Sequence, residues 1–186
     1  RSRVLYPISW NSILRLVATP VASQLTGLST EKLREWTSRR ALVPADVRPK
    51  QKGSPAKFTW QTILVLRLAV LLRDQFAVEL QAYTRTFATL RKDLRATSFI
   101  GLWGRRLALA PQGVWFFLDE DAPPLETDAL VIHLDDHLAV IRDGFALPDA
   151  AAAAGQFDLF SLPALHGKAR DPQRQGSGAM ARRRSA

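Results

Sequence analysis

The stretch Thr19-Pro20-Val21-Ala22-Ser23-Gln24-Leu25-Thr26-Gly27-Leu28-Ser29-Thr30-Glu31-Lys32-Leu33-Arg34-Glu35-Trp36-Thr37-Ser38-Arg39-Arg40 carries the punctuation of two short helices meeting at a tight turn. Thr19 is a good N-cap, and Pro20 suits the first helical position, where its missing N–H is no loss. Gly27 can adopt the left-handed conformation that stops a helix, and Leu28 is the apolar residue expected after such a stop. Ser29 then caps a second helix, expected from Thr30 to about Arg40. Glu31 falls near the positive end of its dipole, and Arg39 and Arg40 fall near the negative end. Val21, Ala22 and Leu25 mark the buried face of the first helix, and Leu33 and Trp36 that of the second. Two helices joined across a three-residue turn are the skeleton of a helix-turn-helix, in which the second helix enters the DNA major groove.

The face left over by this packing carries Ser29, Thr30, Lys32, Arg34 and Arg40. These side chains can reach phosphates, and an arginine can also bind guanine through two hydrogen bonds. Leu42-Val43-Pro44 ends the second helix. Arg48, Lys50, Lys52, Gly53 and Lys57 then form a basic, turn-rich excursion with no acid after Asp46, which reads as a wing. Thr59 caps a third helix, with Phe58 and Ile63 spaced to form a hydrophobic staple across its start.

Charge is unevenly placed along the 186 residues, whose net charge is +9. Residues 1–100 hold 17 Lys/Arg against 6 Asp/Glu, residues 101–166 hold 3 against 10, and residues 167–186 hold 6 against 1. A basic half joined to an acidic one suggests a polyanion as partner of the first. With 47% hydrophobic residues the chain can bury a core, and with no cysteine it has neither disulfides nor thiolate metal sites, which agrees with a cytoplasmic setting. Its most apolar run, Thr62 to Leu72, is interrupted by Arg67 and falls short of the roughly 20 residues a membrane helix needs, so no membrane association is expected. Arg1 and Arg3 precede short apolar stretches broken by Pro7, Asn11 and Arg15, a poor secretory leader.

Past Leu94 the apolar period becomes strand-like. Arg106 to Ala110, Val114 to Leu118, Ala129 to Leu134 and His137 to Ile141 read as four strands. Pro111-Gln112-Gly113 and Asp135-Asp136 supply the turns of two hairpins. The expected class is therefore α+β: an N-terminal extension over 1–18, a winged helix-turn-helix with a long helix over 19–95, and a small acidic antiparallel β module over 96–149. An alanine-rich segment and a basic, disordered tail complete the chain over 150–186.

Val21 to Ser29, continued by Lys32-Leu33-Arg34-Glu35-Trp36 and Leu42-Val43-Pro44, resembles the DNA-binding domain of MerR-type regulators over roughly residues 18–90. That family shows an alanine-led first helix, a Thr-Gly-Val-Ser-like turn, a Thr-Leu-Arg-aromatic-aromatic recognition helix, a Leu-x-Pro exit and an Arg-x-Tyr wing end. The resemblance implies that Arg34 is the arginine presented by the recognition helix and that Phe58 stands at the wing tyrosine. Lys32 replaces the family's threonine, Glu35 its first aromatic and Ala56 the wing arginine, so the backbone contact passes to Lys57. The family dimerises through helices beyond the wing, and Phe76, Leu80, Tyr83, Phe87, Leu90 and Leu94 are spaced as a heptad seam. That stripe forms either a homodimer interface or part of the domain's own core.

Three functions agree with this layout. The first is a sequence-specific, homodimeric regulator of transcription that binds double-stranded DNA. The second is an antitoxin, as in similar pairings of a MerR-like reader with a β module, which represses its operon and binds a basic toxin through the acidic part. The third is an architectural or excisionase-like factor that bends DNA. Enzymatic readings find little to stand on. His133, Asp135, Asp136 and His137 lack a third spaced ligand for a metal, Asp119-Glu120-Asp121 reads as a solvated loop, and there is no phosphate-binding glycine loop or nucleophile elbow. No cofactor is expected.

Overall fold

A computed structural model describes residues 15–49, 51 and 54–147. Within these the chain is α+β, with five α-helices and two small antiparallel sheets. Strand β1 (Val17–Ala18) leads directly into α1 (Thr19–Thr26) and pairs antiparallel with β2 (Lys57–Phe58), Val17 opposite Phe58 and Ala18 opposite Lys57. This pairing moves the helix start one residue earlier than expected. Ala18, not Thr19, is the N-cap; Thr19 is the first helical residue and is buried. Gly27 ends α1 with φ 73°, its amide donating to the Ser23 carbonyl at 3.0 Å. No atom stands within 4 Å of where a Cβ would be, so the demand at Gly27 is conformational alone.

Helix α2 (Thr30–Arg34) begins as expected, with the Ser29 hydroxyl accepting from the Lys32 amide at 3.2 Å. It does not continue to Arg40 as a uniform α-helix. From Glu35 to Arg39 the backbone widens into a π-helical turn, with the Arg40 N–H donating to the Glu35 carbonyl at 2.8 Å. Ala41 follows with a left-handed backbone, φ 49°, and delivers Leu42 and Val43 into the core.

Helix α3 (Trp60–Phe76) is the axis of the fold. Ile63, Leu64, Val65, Leu66, Leu68, Ala69 and Leu72 are all buried, an apolar distribution around the helix that suits a central element. Thr59 caps it, accepting from the Thr62 amide at 3.4 Å, and Phe58 and Ile63 are buried on either side of that start. The Asp46 carboxylate reinforces the same end by accepting from the Thr59 amide at 2.8 Å and the Thr59 hydroxyl at 3.1 Å. Its other oxygen pairs with Arg95 at 3.2 Å. A carboxylate suits the positive end of a helix.

The heptad seam is not one helix. Helix α3 stops at Phe76, a short 3₁₀ turn covers Leu80–Tyr83, and α4 occupies Thr84–Ala96. Leu80, Phe87, Leu90 and Leu94 are buried in the chain's own core, Tyr83 is half-buried against it, and Phe76 is exposed. The stripe therefore packs against α3. Ala77, left-handed at φ 52°, turns the chain back so that α4 lies on the helix preceding it.

The second part also departs from its expected form. Strands β3 (Arg106–Leu109), β4 (Trp115–Leu118) and β5 (Leu130–His133) form one sheet in the order β4-β3-β5, in place of two hairpins. Leu107 faces Phe117 and Ile132, and Leu109 faces Trp115 and Leu130. The Pro111-Gln112-Gly113 turn joins β3 to β4 as anticipated, with Gln112 and Gly113 at φ 63° and 77°. The expected fourth strand is helix α5 (Asp135–Phe145), and Asp135 and Asp136 occupy its first turn. Leu134, Leu138, Ile141 and Phe145 recur at helical spacing and are buried, and α5 packs on α1 and α3. One continuous apolar cluster thus runs from Ala22 to Phe145, with no break near residue 95. The alanine-rich and basic tail lies outside the described residues.

Candidate nucleic-acid interface

The residues singled out from sequence separate into those the tertiary structure gathers around α2 and those it does not describe. Ser29 is exposed and Thr30 half-buried at the start of α2. Lys32 and Arg40 have side chains 41% and 47% exposed, and Arg34 is exposed between them in sequence. Arg48 and Lys57 are exposed on the two sides of the following loop. Lys50 and Lys52 lie outside the described residues.

That loop is closed at its base. Val47 and Lys57 exchange backbone hydrogen bonds of 3.1 and 3.0 Å, and β2 continues the pairing onto β1 beside the start of α1. The Arg91 guanidinium donates to the Pro44 carbonyl, while Asp46 bonds to Thr59, so the chain entering the loop is tied to both α3 and α4. Between the loop and the second helical segment is a hollow of about 290 Å³. Arg34, Thr37, Ser38 and Arg39 border it on one side, Pro49 and Pro55 on the other, with Leu33 and Phe58 also in its lining. Thr37, Ser38 and Arg39 were not singled out as site residues. They sit near the end of the helical segment, and their adjacency to the loop arises only when the loop folds back.

Several other cations are engaged in holding the fold. Arg67 donates to the Leu25 carbonyl and, at 3.3 Å, to His137 Nδ1, joining α1, α3 and α5. Desolvation pushes its pKa below the usual arginine value, as it does for Arg91. The Arg73 guanidinium lies 4.8 Å from the centre of the Trp36 ring and pairs with Asp74. Of the other surface cations of the first half, Arg85, Lys92 and Arg95 are exposed on α4, while Lys32, Arg34, Arg39, Arg40, Arg48 and Lys57 lie on α2, its π turn and the loop. Glu35 stands among them, 3.0 Å from Lys32 and 3.7 Å from Arg40.

His137, Asp135 and Asp119 of the second half have local structural partners. His137 is half-buried. Desolvation lowers its pKa, the Arg67 charge lowers it further, and Asp136 opposes them. Asp135 accepts from the Gly104 amide at 2.9 Å, and Asp119 pairs with Arg105 at 2.8 Å. Among the described residues no group of three or more His, Asp or Glu is placed to hold a metal, and no helix is long and apolar enough to cross a membrane. No protein-family model matches the chain, and no curated protein matches it.

Proposed function

We propose that the chain is a sequence-specific regulator that binds double-stranded DNA, with α1 and α2 as a helix-turn-helix of the MerR kind and residues 47–57 as its wing. The observation that supports this best is the joint placement of α2 and the loop. A capped helix presents Lys32 and Arg34, and the loop, closed at Val47 and Lys57, lies across a hollow from Arg34 and Arg39. Such a face matches a duplex in having one element for base edges and a flanking one for phosphates. Arg34 carries the base contact, and Lys57 and Arg48 carry backbone contacts. Cytoplasmic action on a genome accords with the absence of cysteine.

Selection of bound sequences from a random duplex pool tests the reading, and enrichment of a defined site is the expected result. Arg34→Ala should weaken binding to that site by about 1–3 kcal/mol while the circular dichroism spectrum is retained. A pool that yields no preferred sequence overturns it. A second reading, an antitoxin, draws on the exposed acidic residues Glu120, Asp121, Glu126 and Asp128, which suit a basic protein partner. Copurification with the product of an adjacent toxin-like gene tests that reading.

A further inference from the structure

Glu35 stands in the middle of the cationic face, and the backbone around it changes which residues it meets. Its carboxylate takes the Lys32 ammonium from one turn before and the Arg40 guanidinium from one turn after. In an α-helix residue i+5 lies about 140° around the cylinder from residue i, so Arg40 would point well away from Glu35. The π turn closes a ring from the Arg40 N–H to the Glu35 carbonyl and returns residue 40 to the side of residue 35. Two cations of the proposed DNA-binding face are thereby held by a carboxylate of the same helical segment. The hydrogen bond from Lys32 is the main cause that holds the Glu35 carboxyl below the ordinary value, with the charges of Lys32, Arg40 and Arg39 adding to it, so it is ionised at neutral pH.

These ion pairs are exposed and contribute little to stability. Their consequence is electrostatic. From this geometry we infer that Glu35 is a specificity-determining residue, resting on the DNA-binding reading above: it occupies Lys32 and Arg40 in the free protein and so suppresses sequence-independent binding to phosphates. Before either cation can neutralise a phosphate it must leave the carboxylate, and the carboxylate itself repels the phosphate backbone. Sequence-independent affinity is set by how many phosphates are neutralised, log K falling against log salt by about 0.9 per phosphate. Arg34, which forms no ion pair among the described residues, is not subject to this restraint, so the balance shifts toward the base contact assigned to it.

The test compares Glu35→Gln with Glu31→Gln in the full chain. Both remove one negative charge from the same segment, but Glu31 forms neither ion pair. Binding to a mixed-sequence duplex is followed by fluorescence anisotropy across a salt series. Glu35→Gln should steepen the log–log salt slope by between about 1 and 2, corresponding to one or two added phosphate contacts, and raise affinity roughly tenfold at 0.1 M salt. Glu31→Gln should leave the slope as in the wild type. Equal slopes for the two variants, changed or unchanged, overturn the role of Glu35 while the wild type still binds DNA. Absence of wild-type binding to any duplex even at low salt overturns the DNA-binding reading itself, and the role of Glu35 with it.

Discussion

Replacing Asp46 with alanine should destabilise the chain by about 3 kcal/mol, a cost that follows from three contacts of one nearly buried carboxylate. The side chain is only 9% exposed. It accepts the Thr59 amide at 2.8 Å and the Thr59 hydroxyl at 3.1 Å at the start of α3, where backbone N–H groups have no helical partner. A hydrogen bond to a charged group contributes roughly 1.5–3 kcal/mol, and the amide bond, at 2.8 Å, is the shorter of the two. The pairing with Arg95 adds about 1 kcal/mol at most, because the Arg95 side chain is 54% exposed and screened by solvent. For a chain of this size about 3 kcal/mol lowers the melting temperature by roughly 9 °C. Urea and thermal unfolding followed by circular dichroism measure both quantities, with Arg95→Ala as the comparison that removes only the surface arm. If Asp46→Ala costs less than about 1 kcal/mol, or Arg95→Ala costs as much as Asp46→Ala, the carboxylate does not anchor α3 in the way argued.

Two further outcomes concern the far side of the core. Leu138→Ala should cost about 2–5 kcal/mol and leave a single unfolding transition, because α5 fills a face of α3 shared with α1; two separated transitions would show that residues 96–147 unfold apart from the rest. The His137 pKa is lower folded than unfolded, so below about pH 6.5 the unfolded chain takes up the proton first. Stability should be level above that pH and fall as the pH drops toward the folded value. In His137→Leu that part of the slope should vanish below about pH 6.5, and a pH profile parallel to the wild type's would show that His137 is not the group responsible.

The N-terminal helices were legible in the sequence because their signals are local. Gly27 must stop α1, Ser29 must cap α2 and Thr59 must cap α3 whatever lies around them, and each does so. Turn chemistry at Pro111-Gln112-Gly113 was readable for the same reason. His137 to Ile141 was misread because five residues rich in apolar side chains fit either period, and the deciding evidence, Leu134 and Phe145 at helical spacing on either side, lies outside the segment. The heptad stripe was ambiguous in the same way. A run of spaced apolar residues states that one face will be covered, not by what, and here α3 covers it after the left-handed turn at Ala77.

By itself the sequence determined where α1 stops and where α2 and α3 are capped, the sign of the charge on each half, and the set of cations around α2. Tertiary structure alone decided that the loop after Pro44 returns to lie beside Arg34 and Arg39, that α5 joins α1 and α3 in one core, and that Arg67 and Arg91 are withdrawn into structural roles. The π turn that sets Arg40 against Glu35 belongs with these. Caps and turns are satisfied within a few residues of the chain, whereas packing partners are chosen by which distant surfaces exclude water together, and that choice is written in no single segment.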